Sequence, residues 1–268
     1  MKSFFQIIKD HANHFYLIIR LSLFELKSSN NNNYLGILWV ILNPLILISI
    51  YWFVFGIGIR GGQNVHGVAF LPWLLSGITV WFFISQSLTQ GAKSIYSRIH
   101  IISKMNFPMS VIPSYIITSL FYQHIILIVI AMVLLGFYGF FPTLYIIQLP
   151  YMMLANFALL IGISLVTSTL TTIIRDVQMV VQSVVRALLY LTPILWPPDK
   201  LPASINTVLK VNPIYYIIEG YRSSLLGTNW YFIENKFYTL YFWMFVLSLL
   251  FIGSFLHMKF RNRFVDYL

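Results

Sequence analysis

Residues 109–171, MSVIPSYIITSLFYQHIILIVIAMVLLGFYGFFPTLYIIQLPYMMLANFALLIGISLVTSTLT, contain no Asp, Glu, Lys or Arg, and are punctuated midway only by Gly139, Phe140, Phe141 and Pro142. A hydrocarbon layer about 30 Å thick takes about 20 helical residues at 1.5 Å each, so this stretch is long enough for two crossings. Joined by so short a loop, the two form an antiparallel hairpin.

Working outward, the same criterion gives six apolar runs bounded by charge or turn residues: Leu35 to Gly58, Val68 to Gln90, Met109 to Tyr138, Thr143 to Thr171, Val177 to Leu195, and Phe237 to Met258. The expected fold class is therefore all-α integral membrane, with six transmembrane helices. Composition points the same way. Of 268 residues 59% are apolar and 9% charged, where a soluble domain carries about 25% charged. So few polar side chains cannot cover a water-facing exterior.

The net charge of +10 bears first on topology. With the amino terminus inside, 11 basic residues fall on the cytoplasmic side and 4 opposite, so the expected location is the cytoplasmic membrane, multi-pass, with both termini cytoplasmic. No long polar segment carries a basic stripe with stacking aromatics, so nucleic acid is not an expected partner. The absence of cysteine removes disulfides, thiolate nucleophiles and Cys-based metal sites. A signal peptide is not expected, because Arg20 and Glu25 interrupt the apolar stretch Phe15 to Leu26 and no small-residue cleavage site follows.

Two units are expected: residues 1–34, an interfacial helix and turn, and residues 35–268, the membrane domain. In residues 1–29, Lys9, Asn13, Arg20 and Lys27 fall within a 40° arc at 100° per residue, with Phe4, Ile8, Phe15, Ile19 and Leu26 roughly opposite. That pattern suits a helix lying in the membrane surface. Ser28 to Asn33, with four consecutive Asn, then end that helix and turn the chain into the first span. Between spans two and three, residues 93–107 place Ile95, Ile99 and Ile102 at helical spacing beside Lys93, Arg98 and Lys104, a short amphipathic docking helix. Between spans five and six, the apolar segment around 197–227 is broken by prolines, the pattern of short re-entrant helices on the outer side.

Motif reading excludes more than it assigns. Gly56, Gly58 and Gly61 satisfy GxGxxG, but at the end of an apolar span and with no acidic residue at the expected distance. No GxxxxGK[ST] occurs, so nucleotide power would come from another chain. The seven carboxylates are scattered along the two surfaces, and neither GxSxG nor HExxH is present, so no catalytic residue and no metal site is expected. Only His124 lies within a span.

The most informative charge is Arg186, inside the fifth span, since an intramembrane charge should face a cavity or a partner. Gln178, Gln182 and Arg186 are four apart and share a face. They either line a conduit for an anionic substrate, with Trp39 and Tyr190 as aromatic candidates, or hydrogen-bond within the bundle. In the outer segment Pro213, Tyr216, Glu219 and Arg222 are gate candidates, Glu219 and Arg222 being placed to pair with each other.

Particular runs resemble a known family. YLGILWVILNP (34–44) after a basic amphipathic amino terminus, Arg175-Asp176-Val177, Thr192-Pro193-Ile194, Asn212-Pro213 and Glu219-Gly220-Tyr221-Arg222 resemble the permeases of the ABC-2 type polysaccharide exporter family. Glu25 to Asn33, SKMNFP (103–108) and FRNRF (260–264) look closer still to the wall teichoic acid branch of Gram-positive bacteria. The resemblance implies a homodimeric permease joined to two copies of a P-loop ATPase that binds ATP and Mg, with no cofactor on this chain. It also implies a lipid-linked anionic glycopolymer on a polyprenyl diphosphate as cargo. The coupling role would fall on Lys93, Ile95, Arg98, Ile99, Ile102 and Lys104. The alternatives are a permease for O-antigen or capsule, and an intramembrane transferase acting on polyprenyl-linked sugars.

Overall fold

The structure, a computed structural model, describes residues 2–29, 34–98, 108–198, 201–261 and 264. Two surface helices, α1 (Lys2–Asn13) and α2 (Phe15–Ser28), come first. The next stretch passes from a 3₁₀ turn (Gly36–Leu38) through α3 (Trp39–Tyr51) into a π-helical stretch (Trp52–Ile59). Then follow α4 (Phe70–Ala92), α5 (Val111–Phe137), α6 (Leu149–Ile173), α7 (Asp176–Leu191), α8 (Ala203–Val211), α9 (Pro213–Leu226), α10 (Tyr231–Glu234) and α11 (Lys236–Phe260).

Among the described residues five helices are long and apolar enough to cross a membrane: Gly36–Ile59, Phe70–Ala92, Val111–Phe137, Leu144–Ile173 and Lys236–Phe260. The α5–α6 hairpin turns at Gly139, whose φ of +84° is a left-handed conformation that glycine adopts without a Cβ penalty. The fifth expected span differs. α7 has 16 residues, about 24 Å at 1.5 Å each, and ends at Leu191 rather than Leu195. The ring of Pro193 disfavours a helical residue before it, and Thr192 is extended, with φ −94° and ψ 139°. Residues 192–195 leave the helix and bury themselves in the bundle.

The centre is α4. It is the least hydropathic of the five, at 1.3, yet 83% of its most apolar window is buried, against 11% for the first crossing at hydropathy 2.2. Lipid tails are as apolar as leucine, so hydropathy does not choose between lipid and protein; small residues that let helices approach do. α4 carries Ser76, Gly77, Thr79, Ser87 and Gly91, and α5, α6, α7 and α9 pack around it. α6 and α11 meet in the same way, Gly162 against Leu249 and Leu250, and Gly253 against Leu165 and Val166.

The amino-terminal segment is two helices, broken at His14, where the sequence pattern gave one. Its bundle-facing side is a third stripe, Ile7, Ile18 and Ser22, set apart from the exposed basic stripe and from the apolar one. Phe15, Tyr16 and Phe24 stay 65–76% exposed. A helix that carries basic, apolar and docking faces at once can rest on the bundle and lie in a membrane surface together.

Short contacts gather the chain turns at two ends. At the basic end Glu25, Arg98, Ser110 and Arg175 meet α1, α2 and residues 93–98. At the far end the α5–α6 turn meets the α9–α10 loop, where the Gln148 amide donates to the Asn229 carbonyl at 2.8 Å and Tyr145 stacks edge-on against Trp230.

Candidate functional site

Among the described residues polar chemistry gathers at four places. The first is the basic end. Glu25 of α2 pairs with Arg98 at 2.5 Å, which joins the surface helix to the 3₁₀ turn Tyr96–Arg98. His11 spans the joint between α1 and α5. Its Nδ1 faces the Ile7 carbonyl at 2.8 Å and its Nε2 meets Ser114 Oγ at 2.6 Å. A carbonyl only accepts, so Nδ1 holds the proton and the Ser114 hydroxyl donates to Nε2. Burial pushes the His11 imidazole below its ordinary pKa of 6.5. Arg175 lies over the Tyr96 ring at 5.0 Å. Of the coupling candidates, Ile95 is fully buried, while Lys93 and Arg98 are half-buried. Ile99, Ile102 and Lys104, with the rest of 99–107, lie outside the described residues.

Beside this joint a chamber of about 540 Å³ lies between α2, α3, α4 and α5. Glu25 and Ser29 stand at its α2 edge, Trp39 and Asn43 come from α3, Gln86 and Gln90 from α4, and Gln123 from α5. Gln86 and Gln90 share a face because they are four apart on one helix, as do Ser119 and Gln123. His124 closes one wall, stacked on Phe83 at 4.7 Å with Nε2 3.0 Å from the Tyr221 hydroxyl. The sequence reading missed this chamber. As a path candidate it named Trp39 alone of these residues, because the four amides come from three separate helices and only the fold brings them together.

The α7 stripe lies elsewhere. Arg186 and Tyr190 are exposed, Gln178 and Gln182 half-buried, and Val185 is the helix's buried residue. Among the described residues, Arg186 makes one hydrogen bond, donated from Nη2 to Ser183 Oγ at 3.3 Å. The candidate path residues are therefore split: Trp39 lines the chamber, and Arg186 with its half-buried glutamines lies on α7, away from it.

The fourth place is the Arg222 node on α9. Asn212 caps that helix by accepting from the Ile214 N–H at 3.0 Å, Pro213 is its first residue, and Gly227 stops it at φ +69°. Arg222 is 5% exposed. It pairs with Glu219 at 2.5 Å, donates to the Pro193 carbonyl at 2.7 Å and lies 3.8 Å above the Trp73 ring. A Cβ on Gly77 would stand 2.9 Å from Nη2, so Gly77 leaves the space the guanidinium fills. The node ties α9 to α4 and to the turn after α7. Tyr216, another gate candidate, is fully buried, stacked on Phe242 at 4.6 Å and within 3.2 Å of the Tyr151 hydroxyl. Pro213 begins the helix and is half-buried.

A bundle of long apolar helices with a surface helix tied to one end defines a multi-pass membrane protein. The family model described as ABC-2 type transporter matches residues 16–226, and the chain belongs to that family. It is a transporter permease, not an enzyme subunit. Two relatives, each an O-antigen export system permease protein RfbA of Klebsiella pneumoniae, are 28% identical over 250 and 252 residues, 92% of this chain and 93% of each relative. One of the same name from Myxococcus xanthus is 25% identical over 209 residues, 77% of this chain and 79% of the relative. The expected likeness to the wall teichoic acid branch does not appear among these relatives. The O-antigen alternative fits their names better.

Proposed function

We propose that this chain is the transmembrane subunit of an ATP-driven exporter that moves a lipid-linked polysaccharide of the O-antigen class across the cytoplasmic membrane. The observation that carries the reading is similarity over 92% of the chain to O-antigen export permeases. In this reading two copies pair with two ATPase subunits, which bind ATP and Mg. Both termini are cytoplasmic, and α7 with residues 192–195 completes a sixth crossing in the dimer. α8 and α9 form the re-entrant outer gate.

Mechanistically, ATPase closure pushes on the coupling segment, whose described part, residues 93–98, stands at the basic end. The Glu25–Arg98 pair passes that displacement to α2, and α2 to the chamber wall and α3. At the other end the Arg222 node moves α9 with α4 as one body. Arg186, exposed on α7, faces the passage between copies and guides the diphosphate of the lipid carrier. Wall teichoic acid remains the second reading, favoured by the runs 25–33, 103–108 and 260–264.

The test is the intact mass of the complex extracted with a tag on this chain alone. Two copies of the 31.2 kDa chain with two copies of a P-loop ATPase support the exporter. A lone chain active on polyprenyl-linked sugar overturns it in favour of a transferase. Export assays with each cargo in the reconstituted complex then separate an O-antigen glycan from teichoic acid.

A further inference from the structure

We propose that the chamber between α2, α3, α4 and α5 is a binding site for uncharged, hydroxyl-rich sugar units, one in each protomer and separate from the open face of α7. The inference rests on the exporter reading for where the sugar comes from, but the site itself is argued from its lining.

Asn43, Gln86, Gln90 and Gln123 converge on this space from three helices. Among the described residues none of these four side-chain amides has a protein hydrogen-bond partner. A primary amide brings two donors and two acceptor lone pairs. Asn43 and Gln86 are exposed and Gln90 and Gln123 half-buried, so these amides stand open to whatever enters the chamber, with donors and acceptors not already used by the protein. Vicinal hydroxyls, each donor and acceptor together, answer such a lining. The volume of about 540 Å³ falls within the range of about 300–1,000 Å³ usual for small-ligand sites. Trp39 supplies the apolar wall on which a sugar ring's C–H face rests.

Charge decides against phosphate. The ionisable groups lining the chamber are Glu25 and His124. Glu25 is an anion at the edge, held by Arg98 at 2.5 Å. His124 is turned to the Tyr221 hydroxyl at 3.0 Å. No lysine or arginine lines the space among the described residues, and the nearest cation, Arg98, is already paired with Glu25 at the edge, so a phosphodiester entering it would lose water and gain no free cation. Glycan hydroxyls meet no such penalty. The chamber therefore reads sugar, while the cation suited to the carrier's diphosphate, Arg186, stands outside it on α7.

The test uses the complex in lipid nanodiscs and an alkyl β-D-glucoside carrying a diazirine on the sugar, photo-crosslinked and mapped by mass spectrometry. The expected label falls on residues 39–44, 82–90 and 116–127. An untagged alkyl glucoside should compete, and an alkyl glycerol phosphate of the same chain length should not. Replacing Gln86→Leu together with Gln123→Leu should weaken labelling about tenfold, the loss expected for two neutral hydrogen bonds. Leucine suits a membrane helix, so the variant should still assemble; if it does not, Gln86→Asn with Gln123→Asn shortens both reaches, keeps the polarity and should give the same direction. Label concentrated elsewhere, competition by the phosphate ester at equal strength, or unchanged labelling in an assembled variant overturns the proposal. The mass of the complex is read separately, so a missing ATPase defeats the exporter reading without touching the labelling result.

Discussion

Arg222 and Arg186 are both arginines of the membrane domain, and the structure gives them opposite surroundings. Arg222 is buried with Glu219, the Pro193 carbonyl and the Trp73 ring around its guanidinium. Removing one partner of a buried pair leaves the other uncompensated. Arg222→Ala should therefore lower stability by about 3 kcal/mol, read as an earlier thermal unfolding of the solubilised complex. Arg222→Lys should not restore it, because an ammonium cannot fork between Glu219 and Pro193 while lying flat on Trp73. Arg186 makes one hydrogen bond, on an exposed face. Arg186→Ala should leave stability within about 0.5 kcal/mol and still reduce transport and substrate-stimulated ATPase. Unchanged transport in a folded complex would remove Arg186 from the substrate path. The sequence offered both residues as candidates but not this contrast. The pairing of Glu219 with Arg222 is visible in their spacing of three, whereas the space left by Gly77 and the Pro193 carbonyl come from residues far along the chain.

At the scale of elements, the docking of α1 depends on a neutral histidine. The His11 ring accepts from Ser114, and its burial lowers its pKa below 6.5. Undocked, His11 would take up a proton near 6.5, so the undocked state binds more protons than the docked one as pH falls below that value. The sign follows: docking is at full strength above pH 6.5 and is withdrawn as the medium becomes more acidic. Hydrogen exchange of the α1 amides should speed up between pH 7.5 and 5.5 relative to α5, and His11→Asn should flatten that dependence. An equal response in the variant would assign the effect to another group. The amphipathic character of residues 1–29 is plain in the sequence, but the docking face is not. It mixes Ile7, His11, Ile18, Ser22 and Glu25, and a stripe of mixed polarity has no period that marks it. α9 is the opposite case, since Asn212, Pro213 and Gly227 are local start and stop signals and the helix obeys them.

At the scale of the whole molecule, α3 and α7 are the least covered of the long helices. The first crossing is 11% buried over its most apolar window, and α7 buries Val185. Lipid would satisfy the apolar face of the first crossing, but an arginine with two glutamines is poorly served by lipid, and a second copy is the better cover for α7. The natural lack of cysteine makes the test clean. Val184→Cys, 49% exposed on α7, should form a disulfide-linked species of twice 31.2 kDa on mild oxidation in the native membrane. Val133→Cys, 58% exposed on α5, should give less if α5 faces lipid. Equal linking at both would point to random collision rather than a fixed dimer.

What the sequence by itself determined is whatever depends on neighbours along the chain: five of the six expected long apolar helices, the α5–α6 hairpin, the short proline-punctuated helices after α7, and the family through its motif runs. Apolar length, a cap or a Gly-containing turn acts within a few residues, so local reading suffices. The tertiary structure alone decided that α4, the least hydropathic crossing, is the centre, that α7 stops at Leu191 and folds residues 192–195 inward, that Tyr216 is core, and that four unpartnered amides share one chamber. In a membrane the surrounding lipid is as apolar as the protein interior. Hydrophobicity therefore says that a helix is in the bilayer, and only the packing of small and polar residues between helices says where.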